Sequence, residues 1–472
     1  MSSNERSRDH ARRAVLTPTQ MRRSGLCIGC GACVAQSGKG TARMRFDRFG
    51  QLEPIVSGEG DGGSAFAQIC PFSPSSINED AIAAERFASS GQIDTRIGRY
   101  EACYVGHVRE GRFRAEGSSG GMANWTAVEL LNERLVDGVA HVVPSCGESV
   151  GHPFFRYQIS REPEDVRKGA KSRYYPVELS GVIEEIRRHP GRYAVVGIPC
   201  FVKAMHLLSR QDPVLRERLA FTLGLFCGHM KSSRFVESFA WQTGERIEAV
   251  GGVDYRLKDE SRPANWYTAH LSMRDGSSRS RDWWHLVDGD WGAGFFQNSA
   301  CNFCDDVVGE TADISFGDAW VEPYASDGRG TNVVVVRSPE LHRLIGRAMA
   351  EGRLELREVD SAFVVRTQAA GFRQRREGLA FRLSWPRRGV RPLKRIPPKF
   401  TGLPPRRMLI YWLRSVISAH SHHVFWCART LRLPVLYLRW ASAILAFYQG
   451  VTYSRGRIGR LVDRIVPREK DD

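Results

Sequence analysis

The sequence predicts an α/β protein in parts: a cysteine-rich N-terminal segment, a central α/β domain with an antiparallel insertion, and a basic helical tail. Three observations predict it. Three cysteines spaced two residues apart, "CIGCGAC" (Cys27–Cys33), lie in a Gly- and Ser-rich stretch with few apolar runs, which needs a metal centre to fold. From about Tyr100, helical periodicities alternate with short apolar strands, the pattern of a largely parallel sheet. Residues 371–472 hold 22 Arg and Lys against 5 Asp and Glu, while the preceding 370 residues are balanced at 46 against 47.

Residues 1–20 are polar and Arg-rich and are expected to be disordered. They lack the apolar core of a signal peptide, so a cytoplasmic chain is expected. In a reducing compartment, clustered cysteines read as metal ligands rather than disulfides. Residues 21–95 form the cysteine-rich domain and 96–370 the α/β domain. In the latter, "GGMANWTAVELLNERLVDG" (Gly120–Gly138) reads as a helix and "VAHVV" as a buried strand. "YPVELSGVIEEIRRHPG" and "FVKAMHLLSR" read as helices, "RYAVVGIPC" and "LAFTLGLFC" as strands. Between about 245 and 300, "VDYRLKD", "YTAHLSMRDG" and "SRSRDWWHLVDGD" read as antiparallel hairpin strands. "TADISFGDAW" and "NVVVVRS" return to buried strands, and "SPELHRLIGRAMAEGR" is a helix capped near Ser338.

Residues 371–472 read as an Arg/Pro-rich linker and a helical tail. Arg414, Arg429, Arg432 and Arg439 interrupt the apolar tail, so it has no uncharged span of membrane length. Two readings stand: an interfacial helix pair on an anionic membrane, on the inner face of which the protein would sit, or a pair packed on the protein's own body. Charge confined to one end excludes a chain built throughout for nucleic acid.

The cysteines sort into two sets of four. A C-x2-C-x2-C loop suits a [4Fe-4S] cage, because glycines let the backbone wrap and aim its N–H groups at sulfur. The usual fourth cysteine of a two-cluster pattern is replaced by Ser37–Gly38, so Cys70 of "QICPF" completes Cys27, Cys30 and Cys33. Cys301 and Cys304 form "CNFC". Cys200 and Cys227 end two predicted strands, and ligands collect at the carboxyl ends of strands in open α/β sheets. Zinc remains open for this second set. Cys103, Cys146 and Cys427 read as structural. "EGSSGGMANW" places Ser118, Ser119, Gly120 and Gly121 at a helix start, a position suited to phosphate or to simple capping.

The ordered strings "CIGCGAC", "CPF", "SSGGMANWTAVELL", "GIPCFVKAM", "LFCGH" and "CNFCDDVVGETADISFGDAW" resemble the coenzyme F420 hydrogenase/dehydrogenase beta-subunit family over residues 21–340. Family members include reducers of the deazaflavin coenzyme, ferredoxin-dependent reductases of chlorophyll precursors, and bacterial relatives linked to polysaccharide synthesis. The resemblance implies a ferredoxin-like N-terminal iron–sulfur segment and a flavin domain. It implies FAD with one or two [4Fe-4S] clusters, and places Cys200, Cys227, Cys301 and Cys304 as the flavin-domain cluster set. Ser119, Gly120, Gly121 and, from "KGAKSRYY", Lys171 fall near the flavin. Asp318 of "FGDAW" matches a motif position with no derived role, and His229 reads as structural. The expected function is an FAD- and iron–sulfur-dependent oxidoreductase. It would pass electrons from ferredoxin or a similar donor to an organic substrate or a deazaflavin coenzyme. The alternatives are a non-catalytic electron-transfer subunit and a zinc-stabilised binding protein of a polysaccharide assembly.

Overall fold

A computed structural model describes residues 16–37, 40–56, 63–145 and 153–465. Cys146 lies outside the described residues, as do residues 1–15. The stretch expected to be disordered ends early, because a helix already forms at Pro18–Arg23. Pro18 opens it, and Thr17 and Gln20 satisfy each other in a capping box. A helix at Ala32–Ser37 follows the cysteine loop. The antiparallel hairpin β1 (Ala42–Phe46) and β2 (Leu52–Val56) comes next. Helices Gly63–Ile69 and Glu79–Arg86 and the pair β3 (Gln92–Asp94) and β4 (Gly98–Tyr100) complete this part.

The central domain is built on β5 (Ala102–Val108), β6 (Gly138–Pro144), β7 (Phe155–Ser160), β8 (Tyr193–Gly197) and β9 (Leu219–Leu225). Strands β10 (Val250–Leu257), β11 (Thr268–Met273) and β12 (Ser278–Asp282) form a separate antiparallel sheet, the expected insertion. The chain then returns with β13 (Ile314–Asp318), β14 (Asn332–Val336) and β15 (Leu354–Val359). The large sheet has the order β15-β5-β14-β13-β9-β8-β6-β7. Its centre, β13, β9, β8 and β6, is parallel. The flanking strands pair antiparallel, so the sheet is mixed rather than largely parallel. The reason lies in the connections. Helices Ser180–Arg188 and Pro199–Ser209 carry the crossovers, whereas β13 reaches β14 without one and must reverse direction.

The helix expected over Gly120–Gly138 spans Met122–Asn132. Arg134 turns left-handed at φ 54°, and the Leu135 N–H returns to the Leu130 carbonyl at 2.9 Å, which stops it. The Pro339–Ala350 helix starts as expected, with Ser338 accepting from the Leu341 N–H.

The residues expected to form a linker and tail pack onto the body. Helices Ala369–Arg375 and Glu377–Leu383 precede an irregular stretch, and helices Pro405–Thr430, Pro434–Tyr453 and Gly456–Ile465 follow. Ile417, Phe425, Tyr437 and Tyr448 share one core with Phe235, Tyr255 and Trp283 of the central domain. Phe425 stacks on Trp241 at 4.2 Å and 14°. The helix pair therefore has its inner face docked on the protein. Among the described residues no helix is long and apolar enough to cross a membrane.

Candidate functional site

The parallel strands all end at one edge of the sheet, and the chemistry collects there and beside it. Cys27, Cys30, Cys33 and Cys70 line one cavity with Met44, Phe66 and Pro71. The loop closes because Gly29 and Gly31 sit at φ +73° and +81°. A Cβ at Gly31 would lie 2.2 Å from Glu178 Oε2, and one at Gly29 2.6 Å from the Leu52 carbonyl. The N–H groups of Gly29 and Ala32 are aimed at the Cys27 and Cys30 sulfurs, and those of Phe72 and Ser73 at Cys70. Burial pushes the Cys27, Cys30 and Cys70 thiols up to about 12, and neighbouring thiols add to the rise. Four bare thiolates here would be both desolvated and mutually repelled. A positively charged metal centre removes both penalties.

The second set assembles as the strand-edge argument expects. Cys200 is the second residue of the Pro199–Ser209 helix after β8, and Cys227 stands two residues past β9, its N–H on the Val307 carbonyl at 3.0 Å. Cys301 lies in the short turn Ser299–Phe303 and Cys304 caps it. The Met230 N–H donates to Cys301 Sγ at 3.3 Å. Burial, then the neighbouring thiols, raises Cys200 well above the ordinary thiol range, and Cys30 of the first set is among those neighbours. Cys30, Cys301 and Cys304 share one apolar core against which Cys33, Cys70 and Cys200 pack. The two thiol sets therefore adjoin. Among the described residues no three His, Cys, Asp or Glu side chains converge closely enough for one metal ion.

Buried cations surround the second set. Arg375 donates to Cys304 Sγ and to the carbonyls of Cys227 at 2.6 Å, Gly228 at 2.7 Å and Asp306 at 2.6 Å. Arg382 donates to the Asn302 carbonyl, Lys231 to Phe295, and Arg414 to Gly292, Gln297 and His229. Carbonyls and neutral side chains, not carboxylates, receive these charges. Burial, then repulsion from Arg414 and Arg375, brings Arg382 down to about 9. Burial, with Arg414 adding to it, brings Lys231 down to about 7. Arg382 Nη1 and His229 Nε2 have no hydrogen-bond partner. The carboxylates of Asp288, Asp290 and Asp306 lie near these cations without pairing to them by hydrogen bond, and desolvated cations so placed fit an anionic group held by the four cysteines.

The two stretches expected near a flavin meet at the same edge. Ser118 Oγ accepts from the Ser172 N–H at 2.9 Å, and Ser119 Oγ donates to the Thr331 carbonyl at 3.0 Å. Lys171 pairs with Asp254 at 3.2 Å. Buried Arg256 of β10 joins them, donating to the Ser118 carbonyl at 3.1 Å and to both Asp318 oxygens at 3.0 and 3.2 Å. Asp318 thus anchors Arg256. Gly120 and Gly121 are buried, and their lack of a side chain has a packing cause. A Cβ at Gly120 would meet Asn332 and the Gly106 carbonyl at 2.8 Å, and Gly121 sits at φ +88° against Phe113. The Met122 N–H at the helix start is taken by Asn332 Oδ1 at 3.1 Å. The packing alone therefore accounts for both glycines.

An aromatic bridge links this corner to the second thiol set. His229, two residues past Cys227, stacks on Trp291 at 4.1 Å and 22°. Trp291 lies 4.8 Å from Tyr174, and Arg256 sits 4.3 Å over Tyr267. Sequence reasoning missed Arg375, Arg382, Arg414, Lys231, Arg256 and Trp291. Of these, only Arg256 lies in a segment read as a strand, and Trp291 directly follows one. An open hollow of about 430 Å³ lies elsewhere, on the insertion, lined by Thr268, Ser280, Arg281, Asp282 and His285.

The fold and site define a mixed α/β protein with two adjoining tetrads of buried and half-buried cysteines at a sheet edge. The chain belongs to the coenzyme F420 hydrogenase/dehydrogenase beta-subunit family: the family's N-terminal profile matches residues 103–184 and its C-terminal profile residues 191–362. Cys200, Cys227, Cys301 and Cys304 fall inside the matched region; the first tetrad and Arg375 fall outside it. An uncharacterised protein of Methanocaldococcus jannaschii is 25% identical over 370 residues, 69% of this chain and 87% of that one. The coenzyme F420-dependent sulfite reductase of the same organism is 23% identical over 308 residues, 62% of this chain. The match spans 42% of the reductase's length. Among solved structures, a chain of the F420-reducing [NiFe] hydrogenase complex from Methanosarcina barkeri is similar with a TM-score of 0.46 and 18% identity, over 60% of this chain and 92% of that one.

Proposed function

We propose that the protein is an iron–sulfur flavoprotein oxidoreductase. Cys27, Cys30, Cys33 and Cys70 would hold one [4Fe-4S] cluster, and Cys200, Cys227, Cys301 and Cys304 a second. FAD would lie along the edge formed by Ser118, Ser119, Lys171 and Arg256. Clusters carry single electrons and a flavin carries two, so together they couple a one-electron donor to hydride-level chemistry. The chain's own residues set the conditions for this. Backbone N–H groups face the thiols, buried arginines balance negative charge, and apolar packing excludes water between the two tetrads. The observation that carries the reading is the pair of adjoining cysteine tetrads, the second ringed by buried cations.

Reduced ferredoxin or a similar low-potential protein is the proposed donor. A deazaflavin coenzyme is the first acceptor to test, and an organic substrate of polysaccharide synthesis the second. The deciding experiment is anaerobic purification followed by iron, sulfide and flavin analysis, then reduction of coenzyme F420 with an artificial donor. Zinc without sulfide would end the cluster reading. Clusters and flavin without turnover of any acceptor would leave a non-catalytic electron-transfer subunit.

A further inference from the structure

The docked tail leaves a second face outward, and that face has a consistent chemistry. Along the Pro434–Tyr453 helix, Tyr437, Ala441 and Tyr448 point into the body. The positions offset from them, Val435, Leu436, Arg439, Ala443 and Phe447, are exposed and recur at three- and four-residue spacing. The turn leading into this helix adds Leu431 and Leu433, 61% and 51% exposed, around Arg432. Large apolar side chains lie open here in a row, not scattered singly.

The charge on these helices has one sign. Residues 405–465 contain ten Arg and a single acidic residue, Asp463, which Arg406 holds at 2.6 Å. Arg432 and Arg439 lie within the apolar stripe itself, and Arg457 and Arg460 are exposed on the next helix. Arginine in such a stripe can lay its stem on apolar surface and lift its charge to a headgroup. A protein partner would need an acidic and apolar surface of matching shape. An anionic bilayer supplies both properties over any shape.

We propose that the outer face of the Pro434–Tyr453 helix and its leading turn is a peripheral docking surface for anionic lipid. Leu433, Leu436 and Phe447 enter the acyl boundary, and Arg432 and Arg439 meet the headgroups. The helix lies in the interface plane, since its inner face is committed to the protein. Binding then presents the whole molecule to the membrane in one orientation, because the anchor is rigidly packed rather than tethered.

The test is flotation of the purified full chain with vesicles of phosphatidylcholine containing about one quarter phosphatidylserine, and with phosphatidylcholine alone. The full chain is expected to float with the anionic vesicles at low salt, at least about fivefold more than with neutral ones. Raising salt should lower the bound fraction about threefold without abolishing it, because the apolar part is unscreened. The double variants Leu436→Glu/Phe447→Glu and Leu436→Ser/Phe447→Ser should both fall to background with unchanged melting temperature and visible spectrum. The proposal is overturned by absence of flotation with anionic vesicles, or by flotation of the Ser variant at the full-chain level. It is overturned equally by a dimer that the double variants dissociate, which would mean that a second copy covers the face.

Discussion

Arg375→Gln isolates what a buried charge does beside a cysteine tetrad. Arg375 donates to Cys304 Sγ and to the carbonyls of Cys227, Gly228 and Asp306. Two separable effects follow. The first is stability: several buried acceptors lose a charged donor, which costs about 2–4 kcal/mol. The second is electrostatic. A unit charge taken at roughly 8 Å from one added electron would interact with it by about 2 kcal/mol at an effective dielectric of ~20. One-electron potentials move about 59 mV per tenfold change in equilibrium, so this corresponds to ~90 mV. The sign is fixed by the charge. A nearby cation favours the more negative, reduced form, so its loss lowers the midpoint potential of the second cluster. The first cluster, further from Arg375, should move much less.

The assay is a redox titration followed by electron paramagnetic resonance on anaerobic protein, with the iron content checked first. Arg375→Lys, which keeps the charge but not the fork of donors, should lose stability while holding the potential within about a third of the Gln shift. An unchanged second potential in Arg375→Gln, or an equal shift of both clusters, would refute the reasoning. So would a Lys variant that shifts as far as Gln, because the effect would then come from distorted packing.

Four further outcomes follow from the same geometry. Anaerobically purified protein should be brown and carry about eight iron and eight sulfide per chain, while Cys30→Ser should carry about half and keep its flavin. Lys171→Gln, at the Ser118 edge, should reduce bound FAD per chain with little change in melting temperature; full flavin retention would remove Lys171 from the binding site. Gly121→Ala should destabilise the protein whether or not flavin is bound, because φ +88° and the Phe113 backbone forbid the side chain. Lys203→Met breaks the buried pair with Glu79 at 3.1 Å and should cost about 3 kcal/mol by chemical denaturation, since the buried carboxylate keeps only the more distant Arg395 at 3.8 Å.

What the sequence reveals and what it hides follow a physical division. The tetrads were legible because thiolate chemistry demands close spacing, and "CIGCGAC" and "CNFC" write half of each site locally. Cys70, Cys200 and Cys227 were legible through the Cys-Pro pair and through the rule that ligands gather at strand ends. The antiparallel insertion was legible from its turns. The direction of β14 was not, because an all-buried "NVVVV" looks alike whichever way it runs. Gly120 and Gly121 carry a related ambiguity, since the packing around them accounts for both glycines without a ligand. A glycine required by a neighbouring backbone and one required by a ligand have the same letter.

The tail shows the division most clearly. Arginine in an Arg/Pro-rich stretch reads as solvated charge, since an isolated guanidinium is rarely buried. Yet Arg375 and Arg382 are buried against the Cys301–Cys304 turn, and Lys394 and Arg395 pair with Asp305 at 3.2 and 3.3 Å. Arg395 also reaches Glu310 at 2.6 Å and lies 3.8 Å from Glu79 of the N-terminal part. The same segment therefore closes the second tetrad and ties the first domain to the second. A boundary drawn at 370 cuts through this network, so a chain ending there is expected to lose iron and precipitate rather than persist as a trimmed, working core. Loss should appear in both tetrads, because the apolar core that contains Cys30, Cys301 and Cys304 is shared. A soluble fragment 1–370 that keeps its full iron and sulfide would show that the arginines follow the clusters rather than help to hold them.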